Sequence, residues 1–238
     1  GGKESLKSNL KIVELWHEAL STCNASTNWM EYLQFNRTET QAFLERPTQK
    51  VDLIVPRGGE RLIAFVKEHA TCPVIISGRG NNFVYVHEAA DLDIALDVIM
   101  NGKSKISACN AIDKGLIDSN LVNKDVFVKK LIEKLKAVKI EVLGDNAISK
   151  GNGVEVITSD DIWYQEFLDY KILIGEIGSN QATIAMINKY SGGHSSVIVT
   201  TNEDEAKLFM ENVDTAAVYH NASTRFTDGG QLGLGGEL

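Results

Sequence analysis

Apolar residues recur along this chain with two periods, and the two alternate from one end to the other. Leu6, Leu10, Val13, Trp16 and Leu20 are spaced for one face of a helix, which predicts a helix over residues 4–20. Residues 24–46 are polar and show no clear period. Asp52-Leu53-Ile54-Val55 is a short apolar run that predicts a buried strand, and it ends in the turn signal Pro56-Arg57-Gly58-Gly59. Leu62, Ile63 and Val66 then mark a helix over 60–69, and Val74-Ile75-Ile76 a second short strand. Further on, strands are expected at 83–86, 115–117, 140–143, 171–174, 197–200 and 216–219. Helices are expected at 91–101, 125–138, 181–190 and 204–212. Residues 103–110 and 144–153 read as loops. Strand, turn, helix and strand in repeated order is the rhythm of βαβ units, so the fold class expected is α/β with mainly parallel sheets.

The bulk numbers narrow the function. A chain of 238 residues holds one large domain or two small ones. Its net charge of −8 speaks against a nucleic-acid partner, because phosphate backbones call for a basic face. No apolar run is long enough to cross a bilayer, and no signal segment opens the chain. Cys23, Cys72 and Cys109 are odd in number and widely spaced, so they form neither a disulfide framework nor a metal cluster. Reduced thiols in a cytoplasmic setting are the simple reading. The chain begins Gly1-Gly2-Lys3-Glu4, without Met, and stops in a glycine-rich stretch, so it is expected to be incomplete at both ends.

Four segments could carry chemistry. Cys109 lies among small residues in Ser107-Ala108-Cys109-Asn110-Ala111, after Lys103 and Lys105. Small neighbours would leave a nucleophile open to approach, and nearby lysines would favour its thiolate; spacing alone favours a buried structural thiol instead. Arg57, Gly58 and Gly59 sit where a strand passes into a helix, a place where backbone amides and the helix dipole can hold a phosphate. Many such turns, however, carry glycine for geometry only. Residues 221–230 follow a strand and are dense in donors: Asn221, Ser223, Thr224 and Arg225 would suit a small anion, or simply cap a turn. Glu166 precedes a strand and could hold a ribose hydroxyl, although an exposed acid is commoner. His194, in a glycine turn, reads as a loop side chain, and no metal-ligand spacing occurs.

Several stretches together resemble the gamma-glutamyl phosphate reductase family, a branch of the aldehyde dehydrogenase superfamily. They are Gly1-Gly2-Lys3-Glu4, DLIVPRGG at 52–59, YVHEAADLDIALD at 85–97, ACNAI at 108–112 and NASTRFTDGGQLGLGGE at 221–237. The resemblance covers nearly the whole chain and implies an aldehyde dehydrogenase-like fold of two α/β domains. Residues 1–82 would be the second half of the nicotinamide-binding domain and 83–228 the catalytic domain. Residues 229–238 would start the return toward an oligomerisation tail. It implies NADPH-dependent reduction of L-glutamate 5-phosphate to glutamate 5-semialdehyde in proline biosynthesis, through a thioester on Cys109. Asn221, Ser223, Thr224 and Arg225 would contact substrate, and Lys3, Arg57, Gly58, Gly59 and Glu166 would line NADP(H). A homo-oligomer and a glutamate 5-kinase partner are implied too.

The chain departs from the family after the cysteine. Asp113-Lys114-Gly115 stands where glutamate, threonine and leucine are usual, and Lys114-Gly115 looks poorly suited to a strand. Residues 77–82 lack the carboxylate with which aldehyde-oxidising relatives activate water, as suits a reductive enzyme. Two other readings compete: a related acyl reductase acting on another substrate, and a non-catalytic fragment of such an enzyme.

Overall fold

The computed structural model describes residues 5–76, 79–106 and 108–235. The chain divides into two compact units at residues 77/78.

The first unit is mainly helical. It holds α1 (Leu6–Thr22), α2 (Arg37–Glu45) and α3 (Glu60–His69), with a short 3-10 turn at Thr27–Trp29. The helix α2 falls in the stretch without a clear period. It is set by a reciprocal cap: Glu39 N–H donates to the Asn36 side chain and Asn36 N–H to the Glu39 carboxylate. The strands expected at 52–55 and 74–76 shrink to one parallel bridge, Ile54 to Val74. Ile54 N–H donates to Pro73 O at 2.9 Å and Ile75 N–H to Ile54 O at 2.9 Å. Pro56 and Pro73 flank this bridge without an N–H to lengthen it.

The second unit is a seven-stranded parallel sheet with helices on both faces. Its strands are β1 (Asn82–Val86), β2 (Ile112–Asp118), β3 (Glu141–Gly144), β4 (Glu155–Val156), β5 (Lys171–Ile177), β6 (Ser195–Val199) and β7 (Ala217–His220). They lie in the order β4-β3-β5-β2-β1-β6-β7. Every residue of β1, β2 and β6 is buried, as expected of central parallel strands covered on both sides. Alternation along β1 divides the core. Val84 and Val86 join α4 (Leu92–Gly102) and α5 (Lys124–Ala137) on one face. Phe83 and Tyr85 join α7 (Asn180–Tyr190) and α8 (Glu203–Asn212) on the other. Helices α4, α7 and α8 start on side-chain caps: Asp91 accepts from Ile94 N–H at 3.1 Å, Ser179 from Ala182 N–H at 3.2 Å and Asn202 from Glu205 N–H at 3.2 Å. A four-residue helix, α6 (Asn146–Ser149), lies within the region read as loop, and the edge strand β4 follows it. Among the described residues, no helix is long and apolar enough to cross a membrane.

The doubtful segment after the cysteine is strand after all. Asn82 pairs with Ile112 and Phe83 with Lys114, so the register slips by one and Asp113 is the extra residue of a bulge on β2. A bulge re-aims the side chains around it. That is how a lysine and a glycine are accommodated in a fully buried strand.

Candidate active site

In a parallel sheet, all loops that enter the strands meet at one end. Gly80 before β1, Cys109 before β2, Glu166 before β5 and His194 before β6 therefore converge, although far apart in sequence. Cys109 is exposed, against the expectation from spacing of a buried structural thiol. Its turn closes through Ala111 N–H donating to Ala108 O at 2.9 Å. Asn82 holds the turn from β1: its amide donates to Cys109 O and Ala111 O, both at 2.7 Å, and its Oδ1 accepts from Ser195 N–H at 2.9 Å. The Cys109 N–H makes no hydrogen bond among the described residues.

Asn110 ties the cysteine turn to the loop at 223–227. Its amide donates to Thr227 O at 3.0 Å, its own carbonyl accepts from Thr224 Oγ1 at 2.7 Å, and its Oδ1 accepts from the Arg225 guanidinium. Thr227 Oγ1 in turn meets Ser195 Oγ at 2.7 Å and Tyr219 Oη at 3.0 Å. The loop thus reaches Cys109, but its residues play different parts. Thr224 is fully buried, and Ser223, also buried, caps Arg225 N–H at 3.2 Å. Asn221 stays at the far end of β6, bonded to Thr200 N–H at 3.0 Å and Thr200 O at 2.9 Å. Of the four residues expected to contact substrate, only half-buried Arg225 presents a charged group beside the cysteine turn.

Glu166 comes to the same place from the other side. Its Oε1 accepts from Gly80 N–H at 2.9 Å. Gly80 packs so closely that a Cβ there would lie 2.4 Å from both Cys109 O and Glu166 Oε1. Gly80→Ala is therefore expected to displace the cysteine turn or the carboxylate, lowering stability by about 1–3 kcal/mol, the usual cost of overpacking. Thermal unfolding measures it; an unchanged Tm would show that these neighbours yield freely.

The lysines before Cys109 do not serve it as expected. Lys103 is 1% exposed and pairs with Asp113 Oδ1 at 2.7 Å. The other Asp113 oxygen accepts from Phe167 N–H at 2.8 Å. Lys105 is exposed. Lys114 is fully buried: it donates to Gln165 O at 2.6 Å and lies 3.7 Å over the Phe167 ring. Burial pulls its pKa from the ordinary 10.5 down to about 7. Nothing local in the sequence marks Asn82, Asn110 or Gly80 as a clamp, and Asp113 and Lys114, visible there only as departures from the family, carry no sign that they are buried against the 165–167 loop. His194 meets Ser195 Oγ at 2.7 Å, a loop contact as expected.

Arg57, Gly58 and Gly59 belong to the first unit. Gly59 caps α3 without a side-chain hydrogen bond, and a Cβ there would meet nothing within 4 Å. Lys3 lies outside the described residues.

No protein-family model matches the chain. A gamma-glutamyl phosphate reductase of Caldicellulosiruptor bescii is 38% identical over 244 residues, covering all of this chain and 58% of that protein. The crystal structure of gamma-glutamyl phosphate reductase from Thermotoga maritima superimposes with a TM-score of 0.89 at 38% identity, over all of this chain and 57% of that one. The chain belongs with the gamma-glutamyl phosphate reductases. It spans a little over half the length of the relatives it matches. A propionaldehyde dehydrogenase from Clostridium phytofermentans, 20% identical, covers 98% of the chain with a TM-score of 0.66 and shows the shared aldehyde dehydrogenase-like fold alone.

Proposed function

We propose that this chain carries the catalytic cysteine of a gamma-glutamyl phosphate reductase, which converts L-glutamate 5-phosphate to glutamate 5-semialdehyde with NADPH and releases phosphate. The observation that carries the reading is the exposed Cys109 turn, tied on one side to the Arg225 loop and packed on the other against Gly80 and Glu166.

Cys109 Sγ, as thiolate, attacks the acyl carbon; the C–O bond to phosphate breaks and a thioester forms. The Cys109 N–H donates to the oxygen that gains charge as the carbonyl becomes tetrahedral. Arg225 holds an anionic group of the substrate. After reduction of the thioester, the C–S bond breaks, the electron pair returns to sulfur and the aldehyde leaves. Two features fit the cofactor. Glu166 has one oxygen on Gly80 N–H and the other without a hydrogen bond among the described residues, ready for a ribose hydroxyl. The N-terminus of α3, with Gly58 and Gly59 before it and Arg57 beside them, has the chemistry to suit a phosphate. NADPH, when bound, supplies the hydride. In this reading residues 1–82 contribute to the cofactor domain, 83–228 to catalysis and 229–238 to an oligomer arm. A kinase supplies the acyl phosphate, and the setting is cytoplasmic.

The test is the reverse reaction of the protein at its natural length: glutamate 5-semialdehyde should reduce NADP⁺ only when phosphate is present. Turnover without phosphate would favour an aldehyde-oxidising relative, and none at all would sink the reading. Arg225→Ala should raise the substrate KM roughly 10- to 100-fold, the loss of one charge-assisted hydrogen bond. The KM for NADP⁺ should change little; an unchanged substrate KM would remove Arg225 from the site.

A further inference from the structure

We propose that Lys114 is a positioning residue: through the carbonyl of Gln165 and the ring of Phe167, it holds the loop that presents Glu166 to the cofactor. This rests on the role of Glu166 given above. The argument begins with where the polar groups of that loop go. Three successive carbonyls are captured by three side chains: Trp163 O by Asn81 at 2.7 Å, Tyr164 O by Arg79 at 3.2 Å and Gln165 O by Lys114 at 2.6 Å. Beyond Glu166, Phe167 N–H goes to Asp113. The backbone groups on either side of Glu166 are thus both held by consecutive residues of β2.

The bulge makes this possible. Adjacent residues of a regular strand point to opposite faces, so they do not serve one short loop together. The slipped register at Asp113 lets both do so. Asn81 and Arg79 fix the loop to the segment that contains Gly80, whereas Lys114 fixes it to the strand that follows Cys109. Glu166, bonded to Gly80 N–H, is thereby held in relation to both.

A cation in this place is more than a spacer. Lys114 faces Asp113 on its own strand, Lys103 from the end of α4, Glu166 from the loop and Arg79 from the segment before β1. Protonated, it is drawn to Glu166 and to the face of Phe167; neutral, it keeps one hydrogen bond and loses both attractions. Opening the loop would rehydrate Lys114 and let it regain its proton, so burial outweighs the lost attractions and the closed loop should tighten as pH rises through about 7. The folded protein holds Lys114 at a lower pKa than the unfolded chain and binds fewer protons between about 7 and 10.5. The stability contributed by this group accordingly rises with pH across that window.

The experiment compares the natural-length protein with Lys114→Met, which keeps the stem and removes charge and donor. Amide exchange is followed at Gly80 and over 163–168, and NADPH affinity is followed by its fluorescence, both from pH 6 to pH 9. The wild type should gain protection at Gly80 and bind NADPH about 5- to 10-fold more tightly across this range. The variant should be weak and nearly flat throughout, with substrate KM little changed, and its Tm should lack the wild-type rise toward alkaline pH. Unchanged exchange in the variant overturns the proposal, as does raised exchange with unchanged NADPH affinity. If Lys114→Met does not fold, the wild-type protection of Gly80 decides: a step near neutrality supports the role, and a flat profile overturns it. A wild type that lacks phosphate-dependent turnover but shows that step and binds NADPH would instead count against the functional reading alone.

Discussion

Cys109→Ser is expected to lose phosphate-dependent NADP⁺ reduction by at least about 10³-fold, while Cys23→Ser and Cys72→Ser retain it. A hydroxyl is a far weaker nucleophile than a thiolate unless an adjacent base removes its proton. The hydrogen bonds that hold the Cys109 turn come from the Asn82 amide and the turn's own backbone, and none joins the Cys109 side chain to a base among the described residues. The substitution is nearly isosteric at an exposed position, so the fold should be unaffected and the loss should appear in kcat. Steady-state assay of the three variants, with circular dichroism as the control, makes the measurement. Turnover retained in Cys109→Ser would remove the cysteine from the chemistry.

The second large effect concerns stability. Lys103→Met should destabilise the second unit by about 3–5 kcal/mol, because it removes the ion-pair partner of buried Asp113 and leaves Phe167 N–H as its hydrogen bond, with Lys114 nearby but spent on Gln165 O. The side chains of this pair are 0% and 3% exposed, so neither charge has water to fall back on. Lys103→Met combined with Asp113→Asn should recover much of the loss, since an amide oxygen still accepts from Phe167 and the unpaired carboxylate is gone. Urea unfolding of the single and double variants measures the coupling. A cost below about 1 kcal/mol for Lys103→Met would mean that the pair is solvated.

Both effects depend on residues that sequence alone reads unevenly. Cys109 is visible through its motif, yet its exposure is not, because small neighbours suit a buried thiol as well as an open one. Lys103 and Lys105 look alike as lysines before a cysteine; in the fold one is sealed against Asp113 and the other stands in solvent. The 221–225 segment reads as one run of donors. The chain turns back after β7, sends Asn221 to Thr200 and Arg225 to Asn110, and so divides the run between two ends of the sheet.

Hydrophobic period and turn chemistry were enough to establish the alternation of strands and helices. The strands β1 and β6 and the helices α3, α4, α5, α7 and α8 were legible because each buries an apolar face that its own residues declare. The spaced motifs identified the family. Only the tertiary structure decided that Gly80, Cys109 and Glu166 meet, that Asp113 bulges and that Lys114 is buried. Periodicity records which residues leave water, whereas partners 86 positions apart, such as Gly80 and Glu166, are chosen by the order and register of parallel strands.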